Sequence, residues 1–410
     1  MRKLGGAAIL MSENKVKYLV GNEKIVARPR IPFDEKICEF LDAFSKEILK
    51  DATLKSYTDV VSFAFWIRKA NIQKQKQEYV SKCPRLGRGL AFHIAPSNVP
   101  INAMFTFVFG LLSGNSNIVR VSTKEFPQVK LLCDKLNELL DKEEYREIGE
   151  ENTIVQYERN KEITDVFSLR ADVRIIWGGD HTIEEIRKSP LKPRAKELVF
   201  ADRYSIGIVN PEYILKLSKE QIKSLAKDFY NDTYLMDQNA CSTPHMIFWL
   251  SKDKALIEQA QQYFWKQIYK EAKRYSLEDI KASEKYTNLC LYAAKNGAAV
   301  ETGNSSVQCY ENVVYVITEE KVPDNLCEKR GKFGMFYQCS ISDLNEVKAG
   351  INQKVQTVAV AGIEKEQVQK WIVENRLEGI DRVVSFGKTL DIGLVWDGYD
   401  LIAEMSRLIS

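Results

Sequence analysis

Histidine is scarce in this chain. There are three in 410 residues, His93, His181 and His245, and none lies close to another in sequence. The eight cysteines (Cys38, Cys83, Cys133, Cys241, Cys290, Cys309, Cys327 and Cys339) form no Cys-x-x-Cys pair and no Cys/His spacing of the kind zinc requires. A metal centre is therefore not expected, and scattered unpaired thiols read as a reduced, cytoplasmic protein. An excess of one charge is also missing: 59 Lys plus Arg stand against 56 Asp plus Glu, a net +3. That balance gives no electrostatic footprint for nucleic acid or an anionic membrane. Long apolar runs are absent too. Leu4 to Met11, after Met1-Arg2-Lys3, imitates a signal peptide, but Glu13-Asn14-Lys15 follows without a cleavage site. Val99 to Leu112 contains Pro100, Asn102 and Gly110 and is too short to span a bilayer, so it reads as a buried helix.

What is present is ordinary for a globular protein: 45% apolar and 28% charged residues, with length enough for two or three domains. Residues 34–57 and 58–80 carry helical apolar spacing. Strands are expected at Leu90–Ile94, 117–121, 153–156 and Val173–Trp177. They alternate with helices at 127–141 and Thr182–Lys188, a pattern that predicts a parallel sheet covered on both faces. A second alternating unit follows: strand Ser205–Val209, helix 219–233, strand 246–250, helix 254–274, strand 312–317, helix 343–351, strand 356–361, helix 365–375 and strand 382–386. The expected organisation is α/β, with a Rossmann-type cofactor domain over 1–204, tail 387–410 packing back onto it, and an α/β catalytic domain over 205–386.

Two fragments fail as nucleotide motifs. Gly87-Arg88-Gly89 precedes a strand and lacks the third glycine of a dinucleotide fingerprint. Gly387-Lys388-Thr389 resembles the end of a phosphate loop, but Arg382 replaces its first glycine. Other segments carry more. Cys241 lies in the polar run Asp237-Gln238-Asn239-Ala240-Cys241-Ser242-Thr243, where a thiol is either a nucleophile or an inert buried group, and no adjacent cation lowers its pKa. Upstream, Asn98 offers an amide that could donate to the oxygen of a carbonyl under attack. Gly178-Gly179, between strand and helix, permits close approach of a phosphate or makes a simple turn. Arg120 ends a strand, where its guanidinium serves either a ribose 2′-phosphate or solvent.

The segments HIAPSNVP (93–100), FGLLSGNSNIVRVS (109–122), IIWGGDHTIEEIR (175–187), DQNACSTPH (237–245), RVVSFG (382–387) and VWDGYDLIAEMSR (395–407) resemble, in order, the LuxC-type acyl-CoA reductase branch of the aldehyde dehydrogenase superfamily. The resemblance covers roughly residues 85–410 and implies NADPH-linked reduction of an acyl thioester to an aldehyde. It places Cys241 as the acyl-accepting nucleophile and Asn98 as one half of the oxyanion hole, with the Cys241 N–H as the other. Arg120, Ser122 and Thr123 fall on the adenosine-ribose side of the cofactor, Gly178 and Gly179 over its pyrophosphate, and Phe333 near its nicotinamide.

Departures from the wider superfamily sharpen the expectation. Phe200 stands where hydrolytic aldehyde dehydrogenases carry a glutamate base, so a bound thioester should escape hydrolysis. Thr123 replaces a glutamate found in NAD-preferring relatives, which favours NADPH. Gly331, two residues before Phe333, replaces a glutamate that grips the nicotinamide ribose. The implied partners are an acyl-CoA or acyl-protein donor, an acyl-protein synthetase and further copies of the chain as a homo-oligomer. Two other readings remain open at this level, an aldehyde-oxidising dehydrogenase and an inactive scaffold in a biosynthetic complex.

Overall fold

The computed structural model describes residues 15–79, 81, 83–296 and 307–410; the expectation for Leu4 to Met11 lies outside them. The chain divides into two compact units, Met1–Ala201 with Tyr399–Ser410, and Asp202–Gly398. No described helix is long and apolar enough to cross a membrane.

The first unit holds strands β1 (Lys17–Val20), β2 (Arg85–Gly87), β3 (Leu90–Ile94), β4 (Ser116–Val121), β5 (Asn152–Gln156), β6 (Val173–Trp177) and β7 (Lys196–Phe200). Six of them form one sheet in the order β1-β5-β4-β3-β6-β7. Only β1 runs antiparallel, against β5. Every residue of the central β3 and of β6 is buried, as a parallel sheet covered on both faces demands. The helix Asn102–Leu112 is apolar all round and buried along its length, as expected for Val99 to Leu112. The C-terminal strand Ser406–Leu408 pairs with β2, and Arg85 fastens it through Nε to Ser406 Oγ at 2.7 Å.

The second unit holds β8 (Tyr204–Val209), β9 (Pro244–Leu250), β10 (Val307–Tyr310), β11 (Val314–Glu319), β12 (Met335–Ile341), β13 (Val355–Ala361) and β14 (Arg382–Ser385), ordered β10-β11-β12-β9-β8-β13-β14. All pairs except β10 with β11 are parallel. Alternation is visible along β13: Val358 and Val360 enter one core, Ala359 and Ala361 the other. Met246 and Phe248 of β9 likewise oppose Ile247 and Trp249. Helix Lys254–Ala272 covers the second face with Ile257, Ala260, Phe264, Trp265 and Ile268, spaced by three and four.

Several expectations need correction. The helix read over 58–80 is two, Thr58–Trp66 and Lys69–Glu78, because Arg68 turns extended (ψ 147°) to cap the second. The segment 343–351 is 3₁₀, over Leu344–Gly350, started by an Asp343 capping box with Glu346. Strand β12 was not foreseen because Gln338 sits at its centre. Buried there, Gln338 accepts from the Trp249 and Trp265 indoles at 3.0 and 2.7 Å and donates to Thr318 Oγ1 at 2.9 Å. Helix Asp279–Asn296 was also missed; its mean apolar signal is diluted by lysines, two of which matter below.

Two buried charges organise the units. Arg174, 2% exposed in β6, donates to Glu197 of β7, to Ser168 Oγ, and to the carbonyls of Ile186 in the last turn of helix Asp180–Arg187 and of Ser189 just after it. Arg174→Met orphans the Ile186 and Ser189 carbonyls and leaves Glu197 with Arg187 alone, and should cost about 1–3 kcal/mol in chemical denaturation, with Arg174→Lys intermediate. In the second unit Asp232, 1% exposed, accepts the N–H groups of Gly387 and Thr389 at 2.7 and 3.1 Å. The loop that imitates a phosphate binder is thus occupied by an internal carboxylate.

Burial raises the Asp232 carboxyl from 3.8 to about 6, against the lowering effect of those two donors. A carboxyl that titrates higher when folded stabilises below its unfolded pKa, and that contribution is lost as pH rises through its folded value. Relative to Asp232→Asn, the wild type should therefore lose up to about 3 kcal/mol between pH 3.8 and about 6. Paired urea midpoints across that window measure it, and a pH-independent difference would contradict the assignment.

Candidate active site

Cys241 lies in the loop between helix Lys219–Thr233 and β9, partly exposed. Two successive non-glycine residues, Asp237 (φ 53°) and Gln238 (φ 61°), adopt left-handed backbone just before it. Such conformations each carry a cost of order 1 kcal/mol and persist where side chains over-determine them. Here the Tyr275 hydroxyl donates to the Asp237 carboxylate at 2.5 Å, and Lys281 pairs with it at 3.1 Å. Beyond the cysteine, Ser205 Oγ donates to the Cys241 carbonyl at 2.7 Å, and Thr243 Oγ1 to the Asp232 carbonyl at 2.8 Å. The loop is thus held by hydrogen bonds on both sides of Cys241.

Its electrostatics are mixed. Burial pushes the Cys241 thiol above its ordinary pKa; the Arg203 backbone N–H lowers it, the Asp397 and Asp202 carboxylates raise it, and Arg330 lowers it. The sum is upward, so the thiol is the resting form at neutral pH. Of the two carboxylates, Asp397 weighs more on the thiol and is held by Arg203 and by the Gln356 amide at 2.9 Å, while Asp202 grips Arg330 in a bidentate pair at 2.8 and 3.0 Å. Burial raises Asp202, but the Arg330 hydrogen bond and charge outweigh it and hold the carboxyl low, a poor proton acceptor.

The turn Gly331–Met335 packs against this loop. Phe333 is left-handed (φ 55°) and 6% exposed. The buried Gln238 side chain accepts from the Gly334 N–H at 2.9 Å and donates to the Met335 carbonyl at 2.9 Å, spanning the turn. His245 Nδ1 lies 2.9 Å from the Gly331 carbonyl. A carbonyl only accepts, so Nδ1 carries the proton. Burial drives the His245 pKa down to about 3. It is a neutral structural donor. Gly331 is sterically required, because a Cβ there would lie 1.7 Å from the Met335 carbonyl oxygen.

In the first unit the expected cofactor residues gather at the carboxyl ends of the parallel strands, the usual place for ligands in such sheets. Asn98 follows β3, exposed, and its amide makes no hydrogen bond to a described residue. Arg120 at the end of β4 donates to the Tyr157 carbonyl at 3.2 Å and lies 4.8 Å over the Tyr157 ring. Its Nε is buried without a partner among the described residues. Ser122 accepts the Lys124 N–H at 3.1 Å, and Thr123 is exposed. After β6, Gly179 caps helix Asp180–Arg187 with no side-chain cap bond, and a Cβ placed on it would meet nothing within 4 Å. An uncapped helix start, open space and an orphaned guanidinium nitrogen fit a dinucleotide phosphate and ribose. The Asp180 carboxylate in that first turn is the one opposing charge. Phe200, at the end of β7, stacks on Trp177 with centroids 3.8 Å apart, an apolar place where a base was considered.

Within the second unit the structure joins Cys241 to Phe333 through the Asp237 carbonyl and the Gln238 side chain. Within the first, Arg120, Ser122 and Gly178-Gly179 all lie at or just after the carboxyl ends of β4 and β6, the two neighbours of the central β3. Sequence reasoning missed Gln238, His245 and the Asp202–Arg330 pair as supporting residues. Gln238 and His245 flank the cysteine in the same quoted segment, the signal that could have exposed them. Among the described residues no cluster of His, Cys, Asp or Glu could hold a metal ion.

The profile of the family described as acyl-CoA reductase (LuxC) matches residues 44–408. A curated relative, long-chain acyl-protein thioester reductase 2 of Photobacterium leiognathi, is 24% identical over 345 residues, covering 82% of this chain and 65% of the relative. The chain thus spans just under two thirds of that relative's length. Among solved structures, lactaldehyde dehydrogenase from Escherichia coli aligns over 91% of this chain and 85% of its own, at TM-score 0.62 and 12% identity. NADP-dependent glyceraldehyde-3-phosphate dehydrogenase from Bacillus halodurans, complexed with NADP, aligns over the same shares at TM-score 0.56 and 14% identity. At such identities these structures speak for the fold, which is aldehyde dehydrogenase-like. The chain belongs to the acyl-CoA reductase (LuxC) family.

Proposed function

From that family membership we propose that the protein reduces an acyl thioester, carried on coenzyme A or on a protein, to an aldehyde through an acyl-cysteine at Cys241, with NADPH as reductant. The observation that carries this reading is the Cys241 loop, fixed by hydrogen bonds before and after the cysteine, with the nearby carboxylates Asp397 and Asp202 already committed to Arg203 and Arg330. A loop of this kind can accept an acyl group and does not supply the base that would hydrolyse it.

Transfer is balanced without an external base. The Cys241 sulfur forms a bond to the acyl carbon, the donor's C–S bond breaks, and the proton leaving Cys241 ends on the departing thiol. We assign the Cys241 N–H and the Asn98 amide as donors to the transient oxyanion; the Asn98 side chain is exposed and its amide makes no hydrogen bond to a described residue. NADPH held in the first unit would supply a hydride to the acyl carbon; the bond from that carbon to Cys241 sulfur would then break, releasing the aldehyde and a thiolate that takes a proton from solvent. Arg120 and the uncapped helix at Gly179 would hold the cofactor's ribose phosphate and pyrophosphate. The preference for the 2′-phosphate rests on the Arg120 guanidinium and on Thr123, which brings no repelling carboxylate.

Asn98→Ala should lower turnover roughly a hundredfold or more, about 2.7–4 kcal/mol, in an assay of acyl-CoA-dependent NADPH oxidation coupled to aldehyde detection. Turnover that stays within a few-fold of wild type would remove Asn98 from the oxyanion hole. The thiol environment gives a separate expectation. Asp202→Asn withdraws a charge that raises the Cys241 pKa and frees Arg330 to act on the thiol, so alkylation of Cys241 by iodoacetamide at pH 8 should accelerate several-fold; Arg330→Gln should slow it. Peptide-resolved mass spectrometry separates Cys241 from the other cysteines, and unchanged rates in both variants would contradict the electrostatic picture.

A further inference from the structure

His93, the residue that opens the segment 93–100, is wholly buried in β3 and has no part in the chemistry proposed above. Its ring is held between two side chains: Nδ1 lies 2.7 Å from Thr106 Oγ1, and Nε2 lies 3.0 Å from Asn117 Oδ1. The direction of each bond is fixed. Asn117 Nδ2 donates to the Asn115 carbonyl at 2.9 Å and to Asn152 Oδ1 at 2.8 Å, which leaves Asn117 Oδ1 facing the ring as an acceptor. Nε2 therefore carries the proton and Nδ1 accepts from the Thr106 hydroxyl. Thr106 Oγ1 in turn accepts from the Trp177 indole at 3.1 Å. A line of oriented hydrogen bonds thus runs from Trp177 at the end of β6, through helix Asn102–Leu112 and β3, to Asn117 in β4 and Asn152 at the start of β5. Burial drives the His93 pKa from 6.5 to about 4, so the ring is neutral at neutral pH.

Burying this much polarity is costly unless every member is paired, and an apolar side chain at position 93 would make no such demand. The neighbouring helix is built to allow it. Thr106 is the one hydroxyl on helix Asn102–Leu112, and Gly110, one turn later, is required because a Cβ there would lie 1.8 Å from Asn117 Oδ1. The line ends at a functional place. Trp177 is the last residue of β6, directly before Gly178-Gly179, and the Gly178 N–H donates to the Phe200 carbonyl at 3.1 Å. The Trp177 indole is fixed by its bond to Thr106 and by its stack on Phe200. The turn that opens helix Asp180–Arg187 is thereby anchored from the strand side, and every group involved belongs to the first unit.

We propose that His93 and Thr106 are positioning residues for cofactor binding: by orienting the Trp177 indole they set the Gly178-Gly179 turn that receives the pyrophosphate. This rests on the proposed cofactor reading. Both side chains are buried, so their effect reaches a nucleotide only through Trp177, and their loss should weaken cofactor binding while sparing acyl transfer to Cys241.

The test titrates the full chain with NADPH, without an acyl donor, through the fluorescence of the nucleotide. Acylation of Cys241 is measured separately, as CoA released from acyl-CoA in the absence of NADPH. Thr106→Val keeps the side-chain shape and removes the hydroxyl. It should raise the NADPH dissociation constant about tenfold and leave acylation within about threefold of wild type, and Thr106→Ser should restore binding. Binding unchanged in Thr106→Val, acylation slowed as much as binding is weakened, or Thr106→Ser as weak as Thr106→Val overturns the assignment. If Thr106→Val loses its cooperative unfolding transition, the wild type carries the test. Its three histidines give three imidazoles in nitrogen-15 spectra. The His181 signals are identified by their loss in His181→Gln, and the buried pair separate by tautomer, Nε2–H for His93 and Nδ1–H for His245. Saturating NADPH should shift the His93 ring nitrogens, and nitrogens that stay in place overturn the assignment. A wild-type chain that binds no NADPH overturns the cofactor reading along with the inference built on it, whereas wild-type binding that Thr106→Val leaves unchanged strikes the inference alone.

Discussion

The chemistry-bearing part of the second unit depends on one turn being held through its backbone. Between Gly331 and Met335, five main-chain groups are satisfied by partners outside the turn: His245 on the Gly331 carbonyl, the Asp237 carbonyl on the Phe333 N–H, Lys285 on the Phe333 carbonyl, and Gln238 on both the Gly334 N–H and the Met335 carbonyl. Two of those partners, Asp237 and Gln238, precede Cys241 by four and three positions and are themselves left-handed. The cysteine loop and the Phe333 turn are therefore not independent. Each is strained, and each is the template for the other, so that preorganisation is stored in hydrogen bonds rather than in apolar packing.

Buried charge is used with the same economy in both units. Arg174 ties β7 and the end of helix Asp180–Arg187 to β6. Arg203, at the start of β8, donates to the Val355 carbonyl at 2.7 Å and pairs with Asp381 and Asp397. Asp232 occupies the N–H groups of the Gly387–Thr389 turn. In each case an ion satisfies backbone or carboxylate groups that would otherwise be orphaned at a strand or helix end. The Nε atoms of Arg120 and Arg203 are both buried without a partner among the described residues, and that of Arg120 lies at the carboxyl end of β4, where an anionic ligand is proposed.

Much of the architecture was legible in the sequence because parallel strands buried on both faces announce themselves. Leu90–Ile94, Val173–Trp177 and Tyr204–Val209 are nearly unbroken apolar runs, and the first two appear at the expected residues. Elements whose apolar signal is diluted were not legible. Strand β12 is centred on Gln338, which only a partner such as the Trp249 and Trp265 indoles makes tolerable, and those lie 89 and 73 residues away. Helix Asp279–Asn296 spends two lysines on the cysteine loop and the Phe333 turn. The candidate nucleophile, its amide and the glycine turn could be named from local segments. The clamp could not, because Lys285 and Phe333 are 48 positions apart and nothing near Lys285 in sequence distinguishes a buried cation from a solvated one.

The most direct measurement of the central claim is the intact mass of the purified protein after incubation with a panel of acyl-CoAs in the absence of NADPH. The predicted result is a mass increase of one acyl group, mapped to Cys241 and absent from Cys241→Ala, with the adduct surviving in buffer and discharged on adding NADPH. An adduct that forms equally in Cys241→Ala, or a wild-type adduct at Cys241 that NADPH leaves untouched, would contradict an acyl-cysteine route to the aldehyde.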